Sequence, residues 1–267
     1  MQGPFETHLT LSAACPADFD ELTALVAEAA LKLTCIELAH GLHPLQPMVT
    51  RHGAGSLATE FKAIAELKAQ FHDLGWRVVR TKIEVDAGHA AAPLNAGQAA
   101  DCPAERYFEN HVKILHAPDI PMAAMVSIAG EVASRLSRNA RRIRPDGGHE
   151  RFFTQRFYRS PRSVARHGLE VLLHRLAAAG FTVLEHEEEY VIHDTNIALD
   201  AGWLEPGEYH PHETPEAAQA YSGVYRFPPK ACRVATAVSG AAATIAQEPA
   251  AVGERLSSDD REKAKAE

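Results

Sequence analysis

The same seven-residue pattern occurs twice in the chain, and this repetition constrains the fold more than any other feature of the sequence. The pattern is Phe-Glu-x-His-apolar-x-apolar, and it begins at Phe5 and again at Phe108. After each copy come a helical period of apolar residues, a strand-like segment, a second helical period ended by a glycine, and a closing strand. Because this order is kept from end to end, the sequence predicts an internal duplication, with residues 5–85 and 107–191 as two copies of one unit.

The first copy predicts the element order β-α-β-β-α-β of a ferredoxin-like unit. Its opening segment alternates between apolar and polar residues, as a half-buried strand does. Its second helix is predicted to stop at Gly75, a typical residue just beyond a helix end. The predicted strands cover residues 5–11, 35–40, 48–52 and 76–85, and the predicted helices cover 18–33 and 56–74.

The second copy predicts the corresponding elements, and its second helix is predicted to stop at Gly180. Between its first helix and the next strand lies a basic run, Arg138-Asn139-Ala140-Arg141-Arg142. Such a run is usually a solvated face, but it could also attract an anion. The predicted strands cover residues 108–114, 151–158 and 181–192, and the predicted helices cover 122–136 and 163–179.

These segments predict an α+β fold in which two ferredoxin-like βαββαβ units form a pseudo-two-fold sheet or barrel. A linker rich in Ala, Gly and Pro joins the units, and Tyr221, Tyr225 and Phe227 indicate an extension that packs on the body. The end of the chain is rich in Ala, Ser and charge, which is typical of disorder. The predicted parts are the first repeat (1–86), the linker (87–104), the second repeat (105–204), the extension (205–238) and the tail (239–267).

The composition excludes several classes of function. A net charge of −8 argues against general binding to nucleic acid or to an anionic membrane. The sequence has no apolar segment long enough to span a membrane and no signal peptide pattern, so a cytoplasmic protein is expected. Its four cysteines are scattered, which indicates reduced thiols rather than disulfides or a zinc knuckle. The oligomeric state is left open.

The predicted strands have a polar face opposite their apolar face, and both copies place a histidine at the same position on it. In such a unit both helices cover one sheet face, so the polar positions of the two units can meet in a cleft or lumen. A sheet with one wet side also has polar residues at these positions, but it needs no matched histidine. The positions are Glu6, His8, Thr10, Thr50, His52, Lys82 and Glu84 in the first copy, and Glu109, His111, Lys113, Thr154, Arg156, Glu187 and Glu189 in the second.

The first chemical interpretation is metal-free acid–base chemistry on a small anionic molecule bearing phosphate or carboxylate. His8 and His111 would be the catalytic residues, because imidazole titrates in the range needed to give and take protons. No cofactor is expected, and the enzyme would be a phosphoesterase-like hydrolase or a lyase. Hydroxyl and basic side chains would bind the anion: Thr10, Thr50, His52, Lys82, Lys113, Arg138, Thr154 and Arg156.

One motif carries a resemblance that supports this interpretation. His8-Leu9-Thr10-Leu11 resembles the H-x-T-apolar motif that 2H phosphoesterases carry once in each half of a duplicated α+β fold. The resemblance implies that the paired histidines act on a phosphodiester and that the threonines bind the phosphate. The second copy departs from the motif, because Lys113 stands where that family has Thr or Ser.

The second interpretation is a divalent metal site for Fe, Mn or Zn. The first strands offer His8 and His111, and the closing strands offer Glu84 and Glu189 at matching positions. This arrangement is similar to vicinal-oxygen-chelate enzymes, whose paired modules contribute ligands from their first and last strands. Those modules lack the second helix that is predicted here. The two glutamates could instead pair with nearby basic residues.

A third interpretation is a non-catalytic domain that binds a small anion or serves as a scaffold, and the sequence does not exclude it. Asp194, Asn196 and Asp200 follow the last strand and could bind Mg²⁺, although turns are rich in such residues. The sequence contains neither a Gly-rich nucleotide-binding loop nor a hydrolase elbow, so the usual nucleotide cofactors are not indicated.

Overall fold

A computed structural model describes residues 1–13, 19–116, 121–144 and 149–204 of the 267-residue chain. These residues all belong to one compact unit. The predicted extension (205–238) and the predicted tail (239–267) lie outside the described residues. Within the described part of the chain, no helix is both long enough and apolar enough to cross a membrane.

The element order β-α-β-β-α-β occurs twice, as the sequence predicts. Between the two halves lies the short helix α3 (Ala96–Ala100), inside the segment predicted as a linker, and a 3₁₀ turn (Ile197–Asp200) follows the last strand. The first half consists of β1 (Gln2–Leu11), α1 (Phe19–Glu28), β2 (Lys32–Leu38), β3 (Leu45–Ser56), α2 (Leu57–Asp73) and β4 (Val78–Asp86). The second half consists of β5 (Tyr107–His116), α4 (Met122–Glu131), β6 (Arg135–Ile143), β7 (His149–Tyr158), α5 (Arg162–Ala178) and β8 (Thr182–Asp194).

All eight strands form one closed antiparallel barrel, in the order β1-β3-β2-β6-β7-β5-β8-β4. The two halves meet along two seams, β4 against β8 and β2 against β6. The β2–β6 seam is short, since it pairs only Ile36–Leu38 with Ser137–Asn139. Arg138 reinforces it by donating to both carboxylate oxygens of Glu37, at 2.9 and 2.8 Å.

Most of the apolar residues of the strands point outward, where the helices cover them. Leu9 and Val49 pack with residues of α1 and α2, and Val112 and Phe153 pack with residues of α4 and α5, in two separate clusters. Each such fully buried side chain stabilises the fold by about 1.5–3 kcal/mol. Because side chains alternate along a strand, packing this face against the helices turns the polar positions toward the barrel lumen.

All four long helices end in the same way. One residue adopts a positive φ, and the N–H of the next residue donates to the carbonyl of the residue five positions before it. The left-handed residues are Gly75 after α2 and Gly180 after α5, but Ala30 after α1 and Ala133 after α4. The closing N–H···O bonds measure 2.8 to 3.0 Å. They run from Leu31 to Val26, Trp76 to Phe71, Ser134 to Ala129, and Phe181 to Leu176.

The predicted first helix of each half was therefore too long. The helix predicted over 18–33 ends at Glu28, and the one predicted over 122–136 ends at Glu131, so that Leu33 and Leu136 belong to strands. The basic run that includes Arg138 is likewise part of strand β6 and not a connection. Alanine favours helices, so these two helix ends carry no stop signal in the sequence.

Candidate active site

A cavity of about 180 Å³ occupies the barrel lumen and brings together most of the residues predicted for the site. All eight strands contribute side chains to its lining, and among them β4 provides Arg80 and Lys82 and β6 provides Ser137. The lining includes these predicted residues: His8, Thr10, Thr50, Lys82, His111, Thr154, Arg156 and Glu189.

The two histidines occupy matching positions and make matching hydrogen bonds. His8 lies opposite Thr50 in the β1–β3 ladder, and its Nδ1 is 2.9 Å from the Thr50 hydroxyl. His111 lies opposite Thr154 in the β5–β7 ladder, and its Nδ1 is 3.1 Å from that hydroxyl. Both imidazoles are therefore held through Nδ1, so that Nε2 is directed toward the carboxylates of the lumen.

Three carboxylates lie near the Nε2 atoms of the histidines. His8 Nε2 is 2.7 Å from Glu84 Oε2. His111 Nε2 is 3.4 Å from Glu109 Oε2 and 3.6 Å from Glu189 Oε2. One ligand atom each from Glu84, His111 and Glu189 lies within 4.8 Å of the other two, a spacing at which one metal ion could be held. This group combines residues from both halves of the chain.

Glu84 is a buried carboxylate with an unusual environment. Its side chain is 1% exposed, and Lys82 Nζ lies 2.6 Å from Oε1. Burial by itself raises the pKa of Glu84, but the charges of Lys82 and His8 outweigh it and lower this pKa to about 2. Among the described residues, neither oxygen of Glu84 has a hydrogen bond of regular geometry despite these short distances. The Glu84 carboxylate is therefore charged and has lone pairs that accept no regular hydrogen bond from the described residues.

Glu189 has the opposite tendency. Burial, and then the negative charge of Glu84, raise its pKa well above the usual range, and Glu187 and Glu6 act in the same direction. Two neighbouring carboxylates with opposite shifts in pKa can share a proton or a cation between them. The chemistry open to this group is therefore proton exchange with the histidines or the binding of a divalent ion.

The basic side chains of the lumen are bonded to carboxylates. Lys82 Nζ donates to Glu109 Oε2 at 2.5 Å, in addition to its contact with Glu84. Arg156 donates to Glu109 at 2.5 Å and to Asp200 at 2.7 Å. Burial lowers the pKa of each cation, but the adjoining carboxylates outweigh it and raise the pKa values of Lys82 and Arg156 well above their usual ranges. Both side chains therefore stay charged.

Sequence reasoning missed a second charged group next to the lumen. Arg80 donates to Asp194 at 2.6 and 2.9 Å and to Asp200 at 2.8 Å, and Tyr107 donates to Asp194 at 2.7 Å. Asp200 also accepts from Gln46 at 2.9 Å. Asp194 ends the final strand and Asp200 follows it, in the region where the sequence suggested either a turn or an Mg²⁺ site, and here both pair with buried arginines.

Three residues predicted to bind substrate lie outside the lumen lining. The side chain of His52 is 72% exposed and lies 3.7 Å from Glu6, in a second depression of about 570 Å³ that is bordered by α5 and is also lined by Glu84 and Glu189. Lys113 donates to Glu185 at 2.5 Å, with its ammonium over the Phe152 ring. Arg138 is bonded to Glu37 in the β2–β6 seam. Each lies beside a carboxylate on the outer side or rim of the sheet, which its strand position alone did not reveal.

Comparisons with known proteins support no assignment to a family. No family model matches the chain, and no curated protein matches it. The similar solved structures include the small subunit of acetolactate synthase from Thermotoga maritima, which is 14% identical to this chain. The alignment covers 72% of this chain and 96% of that one, and the TM-score is 0.27. A dye-decolorizing protein from V. cholerae has 11% identity, coverage of 71% and 94%, and a TM-score of 0.25.

A mutant chlorite dismutase from Candidatus Nitrospira defluvii has 13% identity, coverage of 83% and 96%, and a TM-score of 0.24. At such identities and TM-scores these structures carry no argument about activity or substrate. The class that can be stated is an α+β protein built on an antiparallel sheet. The resemblances to 2H phosphoesterases and to vicinal-oxygen-chelate enzymes stay predictions.

Proposed function

We propose that the chain is an enzyme that acts on a small molecule in the barrel lumen with the help of a divalent metal ion. The ligands would be His8, Glu84, His111 and Glu189. The observation that carries this proposal is the meeting of Glu84, His111 and Glu189 within 4.8 Å, with His8 2.7 Å from Glu84. Two imidazole nitrogens and two carboxylates form a usable ligand set for Fe(II), Mn(II) or Zn(II).

The hydrogen bonds at the Nδ1 atoms of the two histidines support the proposal. In metal sites the nitrogen that does not bind metal usually forms a hydrogen bond that fixes the tautomer and the ring orientation. Thr50 and Thr154 are placed to do this for His8 and His111, because each hydroxyl lies within 3.1 Å of an Nδ1 atom. A Thr oxygen that accepts from Nδ1–H leaves Nε2 unprotonated, which is the form that binds a metal.

The carboxylates also suit a cation. The charge of Glu84 raises the pKa of Glu189, and the lone pairs of Glu84 lack regular hydrogen bonds in the described part of the chain. When bound, a divalent ion polarises a substrate oxygen or lowers the pKa of a bound water. Lys82 would keep its contact with Glu84 Oε1, which leaves Oε2 directed toward the histidines.

Metal-free acid–base chemistry on an anionic molecule is the second candidate. It is favoured by the 2.7 Å contact between His8 Nε2 and Glu84, which is the geometry of a carboxylate that orients a histidine for proton transfer. Thr10, Thr50 and Thr154 would then be hydrogen-bond partners for the substrate. A binding domain without turnover is the remaining alternative, and it would retain the lumen but show no activity.

We also propose that the two halves are copies of one unit. The ladders support this, because Glu6 lies opposite Glu84 just as Glu109 lies opposite Glu189. His8 and Thr50 are paired in the same way as His111 and Thr154. If superposition of residues 5–85 on 107–191 placed His8 and His111 on different strands, the duplication would be excluded.

Metal analysis of the full-length protein tests the proposed enzyme class. After equilibration with Mn(II), Fe(II) or Zn(II) and removal of unbound ion, the protein should retain about one equivalent of one of them. Glu189→Gln and His111→Ala should each lose it. His174→Ala is the matched control, because His174 is exposed on α5, away from the lumen. Thermal melts of each variant would show that it is folded.

Two results would contradict the metal proposal. Retention of no ion by the unaltered protein would exclude a resident metal, and equal retention by Glu189→Gln would show that the ion binds elsewhere. In the first case, turnover in the presence of a chelator that falls in His8→Gln would favour the metal-free candidate.

A further inference from the structure

The lumen has an apolar part that the proposed chemistry does not use. Its side chains come mainly from β2, β3 and β7, opposite the strands that carry the histidines and Glu189, and from the segment after β8. Trp203 is held here by an indole N–H that donates to the Leu136 carbonyl at 2.9 Å. The apolar lining residues are Ile36, Leu38, Met48, Phe152 and Trp203.

The size of the cavity limits what it can hold. A cavity of about 150 Å³ with apolar walls accepts one benzene molecule. The lumen, at about 180 Å³, is therefore large enough for a single ring or a branched chain of similar size with one small polar substituent. A nucleotide or a sugar phosphate is larger than such a ring and would not be enclosed in this volume.

The charges of the lumen limit the polar part of the ligand. Arg80, Lys82 and Arg156 are buried and bonded to carboxylates, as described above. The other basic residue of the lining, Lys32, is exposed. Recruiting Arg80 or Lys82 to an anion would draw it away from a buried carboxylate. Arg156 has one buried N–H without a hydrogen-bond partner among the described residues, but it is paired with both Glu109 and Asp200, whose negative charges oppose an anion there.

We infer that the substrate of this site is a molecule with a ring-sized apolar body and one uncharged polar head. The body packs against Phe152, Met48 and Trp203, and the head points toward His8 and His111. This inference rests on the proposed function for the assignment of the lumen as the active site. It names an uncharged substrate class, whereas the sequence suggested an anionic molecule bearing phosphate or carboxylate.

Binding of three probes to chelator-treated, metal-free protein tests the inference without depending on a metal. The probes are benzyl alcohol, benzoate and inorganic phosphate, and saturation-transfer NMR with titration measures their affinities. Benzyl alcohol should bind, benzoate should bind at least about tenfold more weakly, and phosphate should not bind. The tenfold difference corresponds to about 1.4 kcal/mol.

Two variants locate the binding. Phe152→Ala should weaken benzyl alcohol at least about fivefold by removing ring contact, and Thr34→Phe should abolish binding by filling the lumen, into which Thr34 projects. Phe61→Ala is the control, because Phe61 is 40% exposed on α2, outside the barrel, and its removal should leave affinity unchanged. Thermal melts confirm that each variant is folded; if Thr34→Phe is not, Phe152→Ala decides.

The possible failures can be told apart. Phosphate or benzoate bound more tightly than benzyl alcohol would overturn the substrate class, whatever the metal content. Benzyl alcohol bound equally well by Phe152→Ala would overturn the location of the apolar body. Benzyl alcohol bound as expected by a protein that retains no metal would uphold the substrate class and reject the metal-dependent function.

Discussion

Lys82 lies between two buried carboxylates, Glu84 from its own half and Glu109 from the other, with nitrogen–oxygen distances of 2.6 and 2.5 Å. Replacement with Met removes the cation and leaves both carboxylates without it. Such a loss from a buried pair costs about 3–5 kcal/mol. We therefore expect Lys82→Met to lower the free energy of unfolding by this amount in urea titrations.

Lys113→Met is the control for that experiment. Lys113 also pairs with a glutamate at 2.5 Å, but Glu185 is 52% exposed, and ion pairs at such positions contribute about 0–1 kcal/mol. Similar losses of stability in the two variants would mean that the charge of Lys82 is not what stabilises the fold at this position.

Asp200 should make the stability depend on acid pH. Burial raises the pKa of Asp200, but Arg156 and Arg80 outweigh it and lower this pKa to about 2, below the usual 3.8. A carboxyl with a lowered folded-state pKa stabilises the protein fully above its unfolded pKa, and this contribution is lost as the pH falls toward 2. The contribution is about 2 kcal/mol.

Asp200→Asn tests this linkage. At pH 5 the variant should be less stable by roughly 3 kcal/mol, because both arginines lose a charged partner. Urea titrations at pH 5, 4 and 3 should show the difference from the unaltered protein shrinking as the pH falls. A difference that stays constant over this range would indicate that Asp200 does not titrate as inferred.

The residues of the candidate site were only partly predictable from the sequence. The matched histidines, and their threonine partners, follow from strand alternation and from the repeat, because both are local patterns. The pairs Arg80–Asp194 and Arg80–Asp200 join residues more than 100 positions apart. No local period signals them, and they depend on how the segment after β8 returns to the barrel.

At the scale of elements, the ends of helices α1 and α4 could not be predicted from the sequence. Their conformation leads to a prediction. Ala30 and Ala133 have φ of 53°, a left-handed conformation that costs an L-residue about 1 kcal/mol or more relative to glycine. Glycine at either position should therefore stabilise the protein by about 0.5–1 kcal/mol, measured as a higher melting temperature.

Ala27→Gly serves as the comparison, because Ala27 lies within α1 and glycine inside a helix costs about 1 kcal/mol. Stabilisation by Ala27→Gly, or destabilisation by Ala30→Gly, would contradict the left-handed helix end. Glycine marked the ends of α2 and α5 in the sequence, whereas alanine concealed those of α1 and α4. For this reason the predicted first helices ran on into strands β2 and β6.

For the whole molecule, the β2–β6 seam should be the weaker of the two junctions between the halves. It has three residue pairs, and the ion pair of Glu37 with Arg138 spans it. Glu37→Gln should raise the hydrogen-exchange rate of the Ala39 amide, which donates to the Leu136 carbonyl of β6, by about tenfold, since a loss of 1.4 kcal/mol changes an opening equilibrium tenfold.

Amides of the β4–β8 seam should keep their exchange rates in the same variant, and Glu185→Gln, at an exposed pair, should change neither seam. Equal acceleration at both seams would mean that the barrel opens as one unit. The order of the elements was predictable because each half repeats it. The sequence left open whether the two halves form a sheet or close into one barrel. A seam as short as β2–β6 leaves no pattern in the sequence that would decide this.

The four proposed ligands are divided equally between the halves, with His8 and Glu84 on one side of the β4–β8 seam and His111 and Glu189 on the other. An ion bound by all four would therefore link the two halves as well as take part in catalysis. The unfolded chain has no such preassembled group, so free metal at one hundred times its dissociation constant would add about 2.7 kcal/mol to the stability. Metal supply in the cell would then affect the stability of the protein as well as its activity.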